Sequence, residues 1–258
     1  MLFSKFRTQA KDSCNPPAPT RSVPPGIRVY AIGDVHGRLD LLRTLTAQIL
    51  ADISSRGDAS NHIVLLGDLI DRGPDSRGVL EFLRTFSGRA IKLHLLTGNH
   101  EEVLLRLLNG EKGILWSWLK FGGLETLTSY GVNGEKIRLM GEVEALAIIK
   151  AGIPQAHQSF LQEFADTIRV GDYLFVHAGI QPGIELGAQG QKDLRWIREP
   201  FLSDNSDHGF FVVHGHTISD EVVERANRIG IDTGAYSTGR LTALALEGEQ
   251  RWFLEATG

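Results

Sequence analysis

The 258-residue sequence has one cysteine, Cys14, so no disulfide can close within the chain and a disulfide-stapled secreted scaffold is excluded. No apolar run approaches the ~20 residues that a membrane-spanning helix needs. Residues 1–6 also lack the long apolar stretch of a secretory signal. A reducing, cytoplasmic setting with no membrane partner is the expectation. Neither sign of charge is in large excess: 27 basic and 31 acidic residues leave a net charge of -4. No global basic field exists to hold nucleic acid. What is there is ordinary globular composition, 42% hydrophobic and 22% charged, on a chain long enough for a sizeable core.

Proline is scarce except at the start. Pro16, Pro17, Pro19, Pro24 and Pro25 all fall within residues 1–26, with few apolar residues beside them. This predicts a flexible, extended leader, followed by one domain over residues 27–258. Residues 27–32 are mostly apolar, as in a buried strand. Leu39, Leu42, Leu45, Ile49 and Ile53 then recur at the three- and four-residue spacing of an amphipathic helix. The same strand, polar loop and helix recur from residue 63 and from residue 91. Three such units in a row predict a largely parallel sheet covered by helices. In open sheets of this kind, ligands gather at the loops that leave the carboxyl ends of strands. Residues 111–166 read as a helical insert broken by glycines. Its Trp116, Trp118, Leu119 and Phe121 are expected as core between helix and sheet, with a lid as the alternative. Beyond Thr167 short strands prevail, a hairpin over residues 168–176 among them, which predicts a C-terminal part of antiparallel character.

The polar residues concentrate at the strand ends. Gly33-Asp34-Val35-His36-Gly37 follows the first predicted strand, and Gly67-Asp68-Leu69-Ile70-Asp71-Arg72-Gly73 the second. Thr97-Gly98-Asn99-His100-Glu101 follows the third, and His177 and His216 close two later ones. Two carboxylates and a guanidinium straight after a buried strand demand compensation. Singly, each feature has an ordinary reading: an aspartate after glycine caps a turn, and a histidine after a strand is a hydrogen-bonded structural residue. Together Asp34, His36, Asp68, Asn99, His177 and His216 supply six donors, more than one open catalytic metal needs. They fit two ions sharing a bridging carboxylate at about 3.5–4 Å, the arrangement for in-line displacement at phosphorus. Oxygen donors mixed with imidazoles suit Mn, Fe or Zn better than Ca or Mg, with Mn the first expectation.

These three loops resemble the defining motifs of the phosphoprotein phosphatase family of calcineurin-like metallophosphoesterases. His177-Ala178-Gly179 and Gly215-His216-Thr217 resemble its two later histidine motifs. Ile231-Asp232-Thr233-Gly234-Ala235 and Gly239-Arg240-Leu241-Thr242-Ala243-Leu244 resemble the end of its bacterial and phage members. The likeness spans about residues 27–247. It implies an α/β (α+β) fold, a four-layer α-β-β-α sandwich with two mixed β-sheets. It implies that Asp34 and His36 hold one metal, that Asp68 bridges, and that Asn99, His177 and His216 hold the other. His214 is then a support of these ligands or a packed strand-end residue. By the same resemblance His100 protonates the leaving oxygen, with Asp71 fixing its tautomer. Arg72 and Arg198 hold phosphate oxygens, and Tyr236 lines the substrate site. Arg198 enters because residues 193–199 resemble the family's Trp-x-Arg segment. One departure stands out: Thr97 occupies a position where many members carry arginine, so one phosphate-binding charge is missing.

The expected activity is metal-dependent phosphomonoester hydrolysis in one step, by in-line attack of a metal-bridging hydroxide. The expected substrate is a protein phosphorylated on serine or threonine, with phosphotyrosine or a small phosphoester also in range. The alternative is hydrolysis of dinucleoside polyphosphates such as diadenosine tetraphosphate. Asp71 leans the reading to phosphatase, because the dinucleotide hydrolases that share these motifs carry alanine there. Cys14 lies outside every cluster, which argues against a cysteine nucleophile. All six donor positions are filled, which argues against a decayed scaffold.

Overall fold

In β1 (Ile27–Ile32), Tyr30 and Ile32 face one core while Val29 and Ala31 face another. That is the two-residue period of a strand buried on both sides. The computed structural model describes residues 21–88 and 90–258. Most of the expected leader, residues 1–20 with Cys14, lies outside the described residues. After β1 come α1 (Leu39–Ser55), β2 (Ser60–Leu65), α2 (Ser76–Arg84), β3 (Ile91–Leu95) and α3 (Asn99–Leu108). The insert holds α4 (Leu115–Trp118), a π-turn over Leu119–Gly123, α5 (Leu124–Ser129), α6 (Gly134–Arg138), α7 (Glu142–Gly152) and α8 (Gln155–Gln162). Then follow β4 (Thr167–Val170), β5 (Tyr173–Val176), α9 (Gln191–Trp196), β6 (Phe211–His214), β7 (Val223–Glu224) and β8 (Arg228–Gly230). The chain closes with α10 (Ala235–Thr238), β9 (Arg240–Glu247) and β10 (Gln250–Thr257).

The strands form two mixed sheets, ordered β10-β9-β1-β2-β3 and β4-β5-β6-β8-β7. In the first, β1, β2 and β3 run parallel, as the three successive units predict, and β9 and β10 complete it antiparallel. Three cores separate four layers. One lies between the helices and the first sheet, with Leu42, Leu45, Leu65, Leu104 and Trp118. A second lies between the sheets, with Val64, Leu66, Phe175, Val213 and Leu244. A third covers the outer face of the second sheet, with Leu174, Val176, Leu194 and Phe201. Among the described residues no helix is long and apolar enough to cross a membrane.

Three expectations need correction. The second sheet is not antiparallel throughout, since β5–β6 and β6–β8 pair parallel. A two-residue period fixes which face is buried, not the direction of the neighbour. Here residues 177–210 form a crossover long enough to bring the chain back parallel. Residues 21–26 are not a loose leader. Val23 is buried in the inter-sheet core, its N–H bonds Gly248 O at 3.0 Å, and Ser22 N–H bonds the Asp172 carboxylate at 2.9 Å. The β4–β5 and β9–β10 turns leave a slot there that one valine fills. In the insert, Trp118 and Leu119 are core as expected, but Trp116 and Phe121 stand 43% and 60% exposed.

Candidate active site

The loops after β1, β2, β3, β5 and β6 meet at one edge of the two sheets. Their backbone is strained there. Among the described residues, the non-glycine residues with positive φ are His36, Asp68, Asp71, Arg72 and His216, all of them sequence-predicted site residues. Each such conformation costs on the order of 1–3 kcal/mol and persists only when its surroundings impose it. Glu101 imposes much of it. Its buried carboxylate accepts the N–H groups of Asp68 (2.8 Å), Leu69 (2.8 Å), Ile70 (3.3 Å) and Gly98 (2.9 Å), tying the second loop to the third. Burial and the charge of Asp68 push the Glu101 carboxyl up to about 7, against the pull of His100 and these N–H groups.

Asp68 is the hub. Its carboxylate lies 3.5 Å from His36 Nε2, 3.8 Å from His100 Nε2 and 3.4 Å from His177 Nε2. Burial acts against its charge, but His177, His100, His36 and His216 around it hold it well below the usual carboxylate range. Two buried sets of close donor atoms share it: His36, Asp68 and His100; and Asp68, His177 and His216. The second set matches the expected ligands. In the first, His100 stands where the sequence places Asp34. Asp34 is buried alongside and accepts His216 N–H at 3.1–3.2 Å.

The residues fit two cations. His177 Nδ1 donates to Leu66 O at 2.8 Å, so Nε2 holds a lone pair, and it points at another acceptor, Asn99 Oδ1, 3.0 Å away. A cation held by both would resolve two lone pairs that face each other. His36 Nδ1 also donates to Ile70 O at 2.8 Å, which leaves the Nε2 lone pair on the centre, where Arg72 Nη1 donates to it at 3.0 Å. Burial lowers His36 and His216 to about 3 and lowers His177 as well, so these imidazoles are neutral and able to ligate at neutral pH. His216 Nε2 and Asp232 Oδ2 are buried without a hydrogen-bond partner. Buried polar atoms seldom go without a partner, and a bound cation would supply one for both. Burial, then repulsion from Asp232 and Asp68, raises the Asp34 carboxyl well above its ordinary value. Burial also raises Asp232, to about 6.

Next to the hub, His100 Nδ1 donates to Asp71 Oδ2 at 2.7 Å. Burial alone would lower His100, but the Asp68 charge and the Asp71 hydrogen bond push it up to about 9. Arg72 Nη1 reaches His36 Nε2 at 3.0 Å, and its guanidinium sits 4.9 Å from the Tyr236 ring centre. Tyr236 also meets the His36 ring edge-on at 5.4 Å. A cleft of about 570 Å³ opens above these groups. Asp68, Asn99, His100 and His216 line its floor; Arg72 and Arg198 line it with positive charge, and Arg106 lines it while paired with Glu102 and Glu111. Val103, Ile114, Trp118, Phe121 and Trp196 form an apolar wall.

The structure therefore assembles every sequence-predicted site residue at or beside one centre. His214 stays apart: its Nδ1 bonds Gly215 O at 3.0 Å and its ring packs edge-on against Phe201 at 5.1 Å. Thr97 is buried, with its N–H on Ala165 O at 2.8 Å, and does not face the cleft. Arg106 gives no sign in the sequence, because a cationic residue on a helix need not face a cleft, whereas Trp196 stands in the Trp-x-Arg segment with no task assigned to it. Glu101 and Asp232 sat inside recognisable motifs without an evident task.

The family profile for "Calcineurin-like phosphoesterase" matches residues 27–240. A serine/threonine-protein phosphatase 1 of Salmonella typhimurium is 29% identical, covering 85% of this chain and 92% of its own length. A symmetrical bis(5'-nucleosyl)-tetraphosphatase of Cellvibrio japonicus is 28% identical, covering 84% of this chain and 95% of its own length. A solved structure described as a candidate diadenosine tetraphosphatase superposes with a TM-score of 0.63 at 22% identity, covering 92% of this chain and 98% of its own, a likeness of fold. With the profile spanning most of the sequence and the motif loops meeting at one sheet edge, the chain belongs to the calcineurin-like phosphoesterase family, whose members are metal-dependent hydrolases.

Proposed function

We propose that the protein is a phosphomonoesterase of the serine/threonine protein phosphatase type, acting with two divalent ions, Mn first among the candidates. The observation that supports it best is the His100–Asp71 pair, 2.7 Å apart beside the Asp68 hub, in which His100 faces the cleft and Asp71 is buried behind it. When bound, the cations supply positive charge that acidifies water and stabilises phosphate oxygens. Asp34 and His36 would hold one ion, Asn99, His177 and His216 the other, with Asp68 between them. The rest falls to side chains. Arg72 and Arg198 hold the non-bridging oxygens and align phosphorus for in-line attack. His100 has Nδ1–H committed to Asp71, so its Nε2–H is the proton to give to the leaving alkoxide, a task worth ~10²–10⁴-fold. The ring of Tyr236, in contact with Arg72 and His36, confines that end of the site.

A second reading, dinucleoside polyphosphate hydrolysis, is favoured by one feature. The apolar wall with Trp118, Phe121 and Trp196 beside Arg106 and Arg198 suits a base next to a phosphate chain. The test is a Mn-loaded assay on a phosphoserine peptide, p-nitrophenyl phosphate and diadenosine tetraphosphate side by side. Turnover of the first two supports the proposal; turnover of the dinucleotide alone replaces it with the second reading.

A further inference from the structure

The helical insert reaches His100 through one carboxylate. Asp71 is fully buried and accepts three hydrogen bonds. His100 Nδ1 at 2.7 Å and Trp118 Nε1 at 2.9 Å share Oδ2, and Thr126 Oγ1 at 2.6 Å takes Oδ1. Two of the three donors belong to the insert. The hydroxyl protons have only one consistent assignment. Thr126 donates to Asp71 Oδ1, so it must accept from Ser76 Oγ at 2.9 Å, and both hydroxyls accept from Asp71 N–H at 3.0 Å. The ring of bonds is closed, and each member has one orientation.

The glycine pair makes this reach possible. Gly122 lies at φ +115°, where L side chains rarely go, and its carbonyl accepts Arg72 N–H at 3.1 Å. A Cβ at Gly122 would strike the Arg72 backbone, and one at Gly123 would strike the Trp118 ring. The π-turn between α4 and α5 thus lets Trp118 and Thr126, eight residues apart, meet the same carboxylate from two sides. Trp118 is 3% exposed and Thr126 not at all. A buried tryptophan needs an acceptor for its ring N–H, and here that acceptor is the oxygen of Asp71 that also holds His100.

We propose that Trp118 and Thr126 are positioning residues for proton transfer: by fixing both oxygens of Asp71 they set the tautomer and aim of His100. The proposal rests on the reading of His100 as the acid that protonates the leaving group. It makes the insert part of the catalytic apparatus instead of a mere cover, with an effect that scales with how much the leaving group needs its proton.

The test compares phenyl phosphate, a poor leaving group, with p-nitrophenyl phosphate, a good one, in Mn-loaded Trp118→Phe, Thr126→Val, Thr126→Ser and His100→Asn proteins. Expected is a fall in kcat of ~10-fold or more on phenyl phosphate but only ~3-fold or less on p-nitrophenyl phosphate for Trp118→Phe and Thr126→Val, with KM unchanged. Thr126→Ser, which keeps the hydroxyl, recovers most of the phenyl phosphate rate. In the metal-free protein, the downfield proton resonance that His100→Asn abolishes shifts in Trp118→Phe. Should Thr126→Val not fold, the Trp118→Phe and Thr126→Ser arms decide. Equal losses on both substrates, or none on either, overturn the proposal while a selective His100→Asn loss keeps His100 as the acid. A non-selective His100→Asn loss removes the acid itself, and the positioning role falls with it.

Discussion

The two ends of the first sheet both bury charge, and they treat it in opposite ways. At the amino ends of the strands, Arg28 is 1% exposed and donates to Glu247 twice at 2.9 Å, to Gly57 O at 3.0 Å and to Asn61 at 3.2 Å. Beside it, Asp52 accepts from Tyr30 at 2.7 Å, Arg56 at 2.9 Å and Trp252 at 3.2 Å. Every charge there has a protein partner. At the carboxyl ends, where loops of the second sheet join those of the first, three buried carboxylates crowd together, and His216 Nε2 and Asp232 Oδ2 have no partner. A satisfied buried charge holds a structure; an unsatisfied one waits for a ligand.

The largest way to break this contrast is at the unsatisfied end. Stripping the protein with a chelator, or replacing His216 with alanine, is expected to abolish phosphoesterase turnover, and Mn restores it only in the stripped wild type. Metal analysis by mass spectrometry should show the variant retaining less metal per chain; full metal content and turnover in His216→Ala would end the assignment. Next in size, His100→Asn should lower kcat by ~10²-fold or more while metal content stays intact. Loss of metal instead would make His100 a ligand, as its 3.8 Å distance from Asp68 allows.

At the satisfied end the expected effects are on stability alone. Arg28→Met removes charge-assisted hydrogen bonds and should cost about 2–3 kcal/mol, a fall in melting temperature of several degrees by calorimetry. Turnover per folded molecule should not change; a fall in kcat would blur the distinction between the ends. Smallest is the removal of residues 1–25. Val23 leaves the inter-sheet core, at a cost of about 1.5–2 kcal/mol. The deletion should melt earlier than one ending at residue 20, with unchanged turnover of p-nitrophenyl phosphate below the transition.

Within the site, legibility followed the same divide between function and support. Asp34, His36, Asp68, Asn99, His177 and His216 could be read because donor side chains cluster tightly after strands. Trp118 and Thr126 could not. Trp118 stands at a core position and is core, and only its ring nitrogen, aimed at Asp71, gives it a second task. Glu101 was visible as a motif residue, yet its four backbone partners come from two loops that are adjacent only in the folded chain. Val23 reads as part of the leader because one valine among prolines shows no period.

The sequence by itself determined the parallel strand–loop–helix units, the edge at which the polar loops lie, and the set of donors found there. Periodicity and local clustering are properties of short segments, and short segments decide them. The direction of β6 beside β5, the wall of Trp196 and Phe121, the slot that Val23 fills and the grip of the insert on Asp71 were decided by tertiary structure alone. Each depends on which surfaces meet after long loops close, and no local pattern encodes that.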